Sequence, residues 1–250
     1  MIHKHRSTLL FLIAASALVA TSLHGRIPQD PAYHLFADTR SLAGIANFGD
    51  VLSNLPFLMV GLFGLSRSRR LTELKCKSAY ITLCWGILLV SLGSAYYHLS
   101  PSTPTLLWDR LPMTVAFMAL FSMLLEERVT ESRRTLLPLL AAGLASAAYW
   151  YWTESRGASD LRPYLLVQFL PILLMPVILA LFPSKYLTNN LLVAALILYV
   201  AAKFFESYDR QVLSSISVLS GHTIKHLLAG AATLCIILSV QAKEDSCFSV

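Results

Sequence analysis

The apolar residues of this chain fall in uninterrupted blocks of roughly 17 to 25 residues, the length of helix that crosses about 30 Å of hydrocarbon. Eight such blocks can be read between polar breaks: Ser7–Leu23, Asn47–Leu65, Ser78–Leu99, Thr105–Leu125, Leu136–Trp152, Pro163–Phe182, Asn190–Phe205 and Ser220–Val240. The breaks are basic or proline-bearing: Arg67 to Arg70, Pro101 and Pro104, Glu126 to Arg134, Glu154 to Arg162, and Pro183. Of the open-ended elements, only a helix satisfies its own backbone in lipid, so each block is read as helical. Only 14% of the 250 residues are charged, against about 25% in soluble domains. The expected fold is an all-α membrane protein, a seven-transmembrane-helix bundle with an extra N-terminal helix or signal peptide. No internal repeat or low-complexity tract interrupts it.

The blocks divide the chain. Residues 1–24 read either as an uncleaved anchor or as a signal peptide, because Lys4 and Arg6 precede a short apolar stretch ending near Ala20-Thr21-Ser22. Residues 25–46 form an extracytoplasmic segment, 47–240 the membrane domain, and 241–250 a cytoplasmic tail. Orientation follows from basic residues in the loops. If the helices alternate, one side receives twelve Lys and Arg, including Arg67, Arg70, Arg128, Arg134, Lys185 and Lys243, and the other receives six. The richer side is cytoplasmic by the positive-inside rule. The net charge of +6 therefore points to orientation in a membrane, not to nucleic acid. Cys76, Cys84, Cys235 and Cys247 show no CxxC spacing, so neither a disulfide framework nor a thiolate zinc site is expected.

Three of the seven histidines stand at helix ends. His222 and His226 are four apart, so one helical face presents both rings a turn apart, half of a familiar zinc-binding pattern. His98 ends the third block, with Ser94 one turn earlier on the same face, and Asp109 opens the fourth block across a short proline-containing turn. Counting crossings brings Ser94, His98, Asp109, His222 and His226 to one depth on the extracytoplasmic side. An ionisable group near mid-bilayer costs roughly 2.5 to 3.5 kcal/mol and normally faces the bundle interior. Metal coordination would offset that cost. Three imidazoles leave a fourth tetrahedral position open, as in catalytic zinc, and such zinc brings the pKa of bound water to about 7. Asp109 is then the candidate general base, and Ser94 a donor to the developing oxyanion.

These residues resemble a known family. Ser94-x-x-x-His98, Asp109 eleven residues further on, and His222-x-x-x-His226 in the last helix are similar to the motifs of the alkaline ceramidases. More distantly they resemble the adiponectin-receptor and haemolysin-III-like proteins of the CREST superfamily. The Ser53-Asn54 pair fits the same pattern, and the resemblance spans about residues 47 to 240. It implies a seven-helix core, a Zn2+ ion held by His98, His222 and His226, and hydrolysis of an amide in a ceramide-like or other acyl-amide lipid drawn from the bilayer. Two positions depart from the family. Asn47 stands where the alkaline ceramidases carry an acidic residue, which leaves a calcium site involving Asp38, Asn47 or Asp50 open. Lys225 stands between the last two histidines, where the family places aromatics.

Other readings of the same residues remain. The zinc site could serve a membrane receptor or regulator without essential catalysis, although structure alone needs only the ligands and not Ser94 or Asp109. A transporter is less well supported, because no run of charges traces a path through the bilayer. Asp109 could pair with Arg110 or Lys225, and Ser94 could be a small residue at a close helix contact. Lys225 either snorkels to lipid headgroups or meets an anionic group on a substrate. Lys203, Glu206 and Asp209 are expected to form an interfacial ion pair with Arg210. The basic loop Arg67–Lys77 reads as an orientation signal and a contact for anionic lipid.

Overall fold

The computed structural model describes residues 2–241 except 73 and 131. The tail expected to be cytoplasmic lies, beyond residue 241, outside the described residues. The chain runs through α1 (Ile2–Leu23), a 3-10 turn (Pro31–His34), α2 (Phe48–Leu52), α3 (Leu55–Ser68), α4 (Lys77–Leu99), α5 (Thr103–Leu124), α6 (Leu136–Ser155), α7 (Arg162–Leu181), α8 (Asn189–Ser207), α9 (Asp209–Ile216) and α10 (Gly221–Ser239). No strand occurs among the described residues. This is the all-α membrane fold that the apolar blocks predict.

Seven of these segments are long and apolar enough to cross a membrane: α1, α2 with α3, α4, α5 with its extension to Val129, α7, α8 and α10. The 20-residue α6 has the length, but the Tyr149–Trp152 aromatics dilute its hydropathy. It packs between α5 and α7 and completes the core bundle. Helix α1 lies almost entirely outside that bundle, against α7.

Three features depart from the expected pattern, each for a local reason. The first core block is two helices, because Pro56 has no N–H to donate to Leu52 and the chain turns at Ser53-Asn54. Ser53 Oγ and Asn54 Nδ2 both donate to the Asp50 carbonyl, at 3.0 and 2.8 Å, and so close the end of α2. The break expected from Glu126 is in its first half no break at all, since α5 continues into a π-helical turn, Leu125–Val129, with Glu126, Glu127 and Arg128 buried. The short helix α9, absent from the sequence reading, links α8 to α10.

Helices approach closely where the site is built. A Cβ on Gly93 of α4 would fall 2.0 Å from the Trp108 carbonyl, so only glycine lets α4 and α5 meet at the level of Ser94 and Asp109. A Cβ on Gly221 would fall 2.2 Å from the Phe205 carbonyl, which seats the first turn of α10 on the α8–α9 corner.

Candidate metal centre

Each histidine is set by a different element, and their meeting depends on the caps of α4 and α10. The Ser220 side chain accepts from Thr223 N to start α10. Asp209 accepts from His222 N at 2.7 Å and from Ala37 N at 2.8 Å, so one carboxylate pins both α10 and the N-terminal segment. A negative charge at a helix N-terminus also meets the positive end of the macrodipole. Asp209 therefore works as a cap, and the expected ion pair with Arg210 gives way to these two backbone N–H groups. On α4, the His98 carbonyl accepts from Asn47 Nδ2 at 2.7 Å. Asn47, one of the positions that departs from the ceramidase pattern, holds the end of the helix that carries His98.

His98, His222 and His226 are all buried, and their ligand atoms lie within 4.8 Å of one another. His98 Nε2 and His222 Nε2 are 3.2 Å apart. Zinc–nitrogen bonds of about 2.0–2.1 Å at tetrahedral angles put ligand nitrogens about 3.3 Å apart, so this pair already stands at the spacing a metal needs. The remaining hydrogen bonds fit as well. Ser53 Oγ donates its one proton to the Asp50 carbonyl, so it accepts from His226 Nδ1 at 2.8 Å. That fixes the proton on Nδ1 and leaves the Nε2 lone pair of His226 free for a metal, the orienting arrangement usual for metal-binding imidazoles. His98 Nδ1 has no hydrogen-bond partner. The nitrogen at metal spacing is its Nε2, so this ring is held by packing against Phe36 and not by an outer hydrogen-bond partner. The donor set thus fits a zinc ion.

The N-terminal segment closes over the three rings. Phe36 sets its edge against His98 and His222, with ring centroids 4.6 and 4.5 Å away. His34 Nδ1 bonds the Tyr97 hydroxyl at 2.9 Å. Arg40 pairs with Asp38 and donates to the Ser217 and Val218 carbonyls, which ties the segment to the loop before α10. The Arg40 guanidinium holds the Asp38 carboxyl below its ordinary value. Sequence reading missed this cover. Its available signal was the aromatic cluster Tyr33, His34 and Phe36 inside an otherwise polar stretch.

A cavity of about 350 Å³ opens beside the histidines and is lined by Ser94, Asp109, Arg110, Lys225, His226 and Glu206 at one end. Ser94 faces the Asp109 carboxyl, and both are buried. Asp109 feels the charges of Lys225 and Arg110, but no close ion pair joins it to Arg110, whose Nη2 donates to Gln29 at 2.7 Å. Lys225 does not snorkel outward. It pairs with Glu206 at 2.8 Å and comes within 3.4 Å of His222 Nε2, while Lys203 pairs with the other Glu206 oxygen. The far end of the cavity is apolar, reaching Leu83, Ile87, Phe117 and Ile236. Leu83 stands eleven residues before Ser94 on α4, or about 16 Å of helix rise. The cavity is thus deep and mostly apolar below, with its charged groups at the head and Gln168, Tyr199 and Thr233 as the polar side chains further along.

The fold and this site together define a multi-helix membrane protein with a buried tri-histidine group beside the head of a mostly apolar cavity. The family model described as Ceramidase matches residues 40–244. The chain belongs to that family, and the match covers the resemblance read from the motifs. A search of curated proteins found no match.

Proposed function

We propose that the protein is a zinc-dependent membrane hydrolase that cleaves the amide bond of a ceramide-like or other acyl-amide lipid. The observation that carries this reading is the placement of Ser94 and Asp109 on the same cavity wall as His226, in a chain that belongs to the ceramidase family. His98, His222 and His226 would hold the metal. Zinc supplies Lewis acidity, polarising a carbonyl and making water acidic enough to give hydroxide near neutral pH.

The chain's own groups do the rest. The apolar cavity holds the acyl chain and leaves the amide among Ser94, Asp109 and His226. Asp109 takes a proton from the attacking water and passes it to the leaving amine nitrogen, as a general base and then a general acid. Ser94 orients the Asp109 carboxyl and offers its hydroxyl to the oxyanion as the carbonyl becomes tetrahedral. Phe36 and the cover formed by residues 25–46 limit the access of bulk water. The products are a fatty acid and an amine-bearing head.

The same reading assigns residues 1–24 to an N-terminal anchor or signal peptide and 47–240 to the catalytic membrane domain. The twelve-to-six distribution of basic residues supports a site on the extracytoplasmic side. A tag inserted at Gly157, in the loop between α6 and α7, should be labelled from outside intact cells. Labelling only after permeabilisation would reverse the orientation.

The test of function is turnover by the purified protein of a panel of acyl-amide and acyl-ester lipids, with and without a chelator. Chelator-sensitive release of fatty acid from an amide is expected. Release from esters alone, or release that survives complete metal removal, would overturn the reading.

A further inference from the structure

Arg110 is buried at the head of the cavity with 4% of its surface exposed, in a place that asks for an explanation. Its guanidinium carbon lies 3.9 Å from the Trp150 ring centroid, 4.6 Å from that of Tyr164 and 5.7 Å from that of Tyr33. These rings satisfy the faces of the ion but accept none of its in-plane N–H groups. Gln29 accepts from Nη2, and Nη1 has no hydrogen-bond partner. A buried charge is normally paired or fully hydrogen-bonded. The adjacent Asp109 carboxylate is near enough to feel the guanidinium charge but bonds Ser94 and leaves Nη1 without an acceptor.

The charge around it is also unbalanced. Around the head of the cavity the buried Arg110, the part-buried Lys225 and the more exposed Lys203 face the two carboxylates Asp109 and Glu206. Glu206 serves both lysines. Asp30 belongs to the exposed rim, and its Oδ1 is held by Ala32 N. A metal on the histidines would add to the positive excess. Guanidinium has five N–H donors and no acceptor, and its fork matches a carboxylate or phosphate. A neutral hydroxyl would meet one such N–H and leave the charge unanswered.

We propose that Arg110, with Lys225 nearby, forms a subsite for an anionic group, carboxylate or phosphate, on the amine half of the acyl-amide substrate. The polar head of the cavity and its apolar depth set the orientation: acyl chain down toward Leu83 and Ile87, amide beside Asp109, anion against Arg110. The inference rests on the acyl-amide reading above and narrows it from acyl amides at large to those with an acidic head.

The probes are three amides with the same acyl chain: N-palmitoylethanolamine, N-palmitoylglycine and N-palmitoyl-O-phosphoethanolamine. Binding to the purified, zinc-loaded full-length protein in neutral detergent is measured directly by calorimetry, and hydrolysis separately. At least one anionic amide should bind about tenfold or more tighter than the neutral one, the size of a charge-assisted hydrogen bond. Whichever of carboxylate and phosphate binds tighter identifies the head. Arg110→Gln should bring the anionic amides down to the level of the neutral one, and Arg110→Lys should keep part of the preference. Equal affinity for all three in the unaltered protein overturns the subsite, whether or not the variants fold. A preference that survives Arg110→Gln also overturns it. An anionic preference without hydrolysis of any amide would sink the hydrolase and leave the subsite standing. Hydrolysis of all three without preference would do the reverse.

Discussion

The two ends of the helical bundle both bury ionisable groups, and they do so in opposite ways. At the end away from the histidines, Glu127 and Arg128 form an ion pair of 2.9 Å with both side chains fully buried. Glu127 Oε1 accepts from Ser184 Oγ, Lys185 N and Tyr186 N. Arg128 donates to the Phe182 and Leu187 carbonyls and to Asn189 Oδ1. Glu126 accepts from Thr135 Oγ1 at 2.8 Å. Every link of this network ties the end of α5 to the α7–α8 loop, the start of α8 or the start of α6, and none of Glu126, Glu127 and Arg128 lines the cavity beside the histidines. At the histidine end, Asp50 Oδ2, Asn54 Oδ1, His98 Nδ1 and Arg110 Nη1 are buried without partners, and Arg110 lines an open chamber. The first end closes nearly all of its polar groups on each other, with Arg67 Nε left over, and holds helices together. The other leaves donors and acceptors in reserve, which is what a site that receives a metal and a substrate requires.

The sharpest way to break this contrast is to remove the metal ligands. His222→Ala with His226→Ala should abolish zinc binding, measured as metal per chain by mass spectrometry. Hydrolysis should fall to background, while the helical content by circular dichroism stays near that of the unaltered protein. A double variant that still carries one zinc per chain would mean that the reserve at this end serves something other than metal.

Asp109→Asn comes next. General acid–base assistance contributes about 10²- to 10⁴-fold, so turnover should fall by that range with zinc content unchanged. The loss should appear mainly in kcat, because the group acts on charge that develops in the transition state. Ser94→Ala should cost less than Asp109→Asn, since in the proposed reaction the serine assists and the carboxyl moves the proton. A zinc-loaded Asp109→Asn protein with nearly full turnover would make Asp109 structural and favour a receptor or regulator.

At the closed end the expected signature is inverted. Glu127→Ala leaves a buried guanidinium unpaired and should destabilise the protein by about 3–5 kcal/mol, read as a fall in thermal midpoint in detergent. The turnover of the molecules that remain folded should hardly change. Replacing the pair together, Glu127→Leu with Arg128→Met, should recover part of the stability, limited by the Lys185 and Tyr186 N–H groups and the Phe182 and Leu187 carbonyls that lose these partners. A large loss of kcat without loss of stability would show that this end also takes part in the chemistry.

The difference between the ends also explains what the sequence could and could not tell. The histidine end was legible because its residues are rare in apolar helices, and because the spacing of His222 and His226 on one helical face, with Ser94 and His98 on another, follows from helix geometry alone. Asp209 as a cap, Phe36 as a cover and Arg110 as an unpaired cation were not legible, since each depends on a segment folding back from far along the chain. At the closed end, Glu126-Glu127-Arg128 looks like a solvated break. Nothing local distinguishes three charged residues in a loop from the same three extending a helix by a π-turn into a polar core. The partners that decide the matter, residues 182 to 189, lie more than fifty positions away. The split of the first core helix was visible in Pro56, but its use was not: the turn it makes is what presents Ser53 to His226.

Ser53 offers the finest test of the contrast, because it belongs to the histidine end yet behaves like a member of the closed one. It touches neither the cavity nor a place where substrate would lie. Its hydroxyl is already satisfied, giving its proton to the Asp50 carbonyl and accepting from His226 Nδ1. If its function is to hold His226 in the tautomer with Nε2 free, Ser53→Ala should weaken zinc binding and do little else. Outer partners of metal-bound histidines typically contribute 10- to 100-fold in metal affinity. The lower figure, about tenfold, is expected here, because the Asp50 carbonyl stands next in line to accept from the imidazole. The measurement is competition with a chelator of known affinity, alongside turnover at saturating zinc. Turnover there should recover to near that of the unaltered protein, since a positioning residue matters to occupancy and not to the proton transfer proposed for Asp109. Ser53→Thr keeps the hydroxyl and should keep the affinity. Unchanged zinc affinity in Ser53→Ala would mean that the tautomer is set by the metal itself. A loss of turnover that saturating zinc cannot restore would instead place Ser53 in the chemistry.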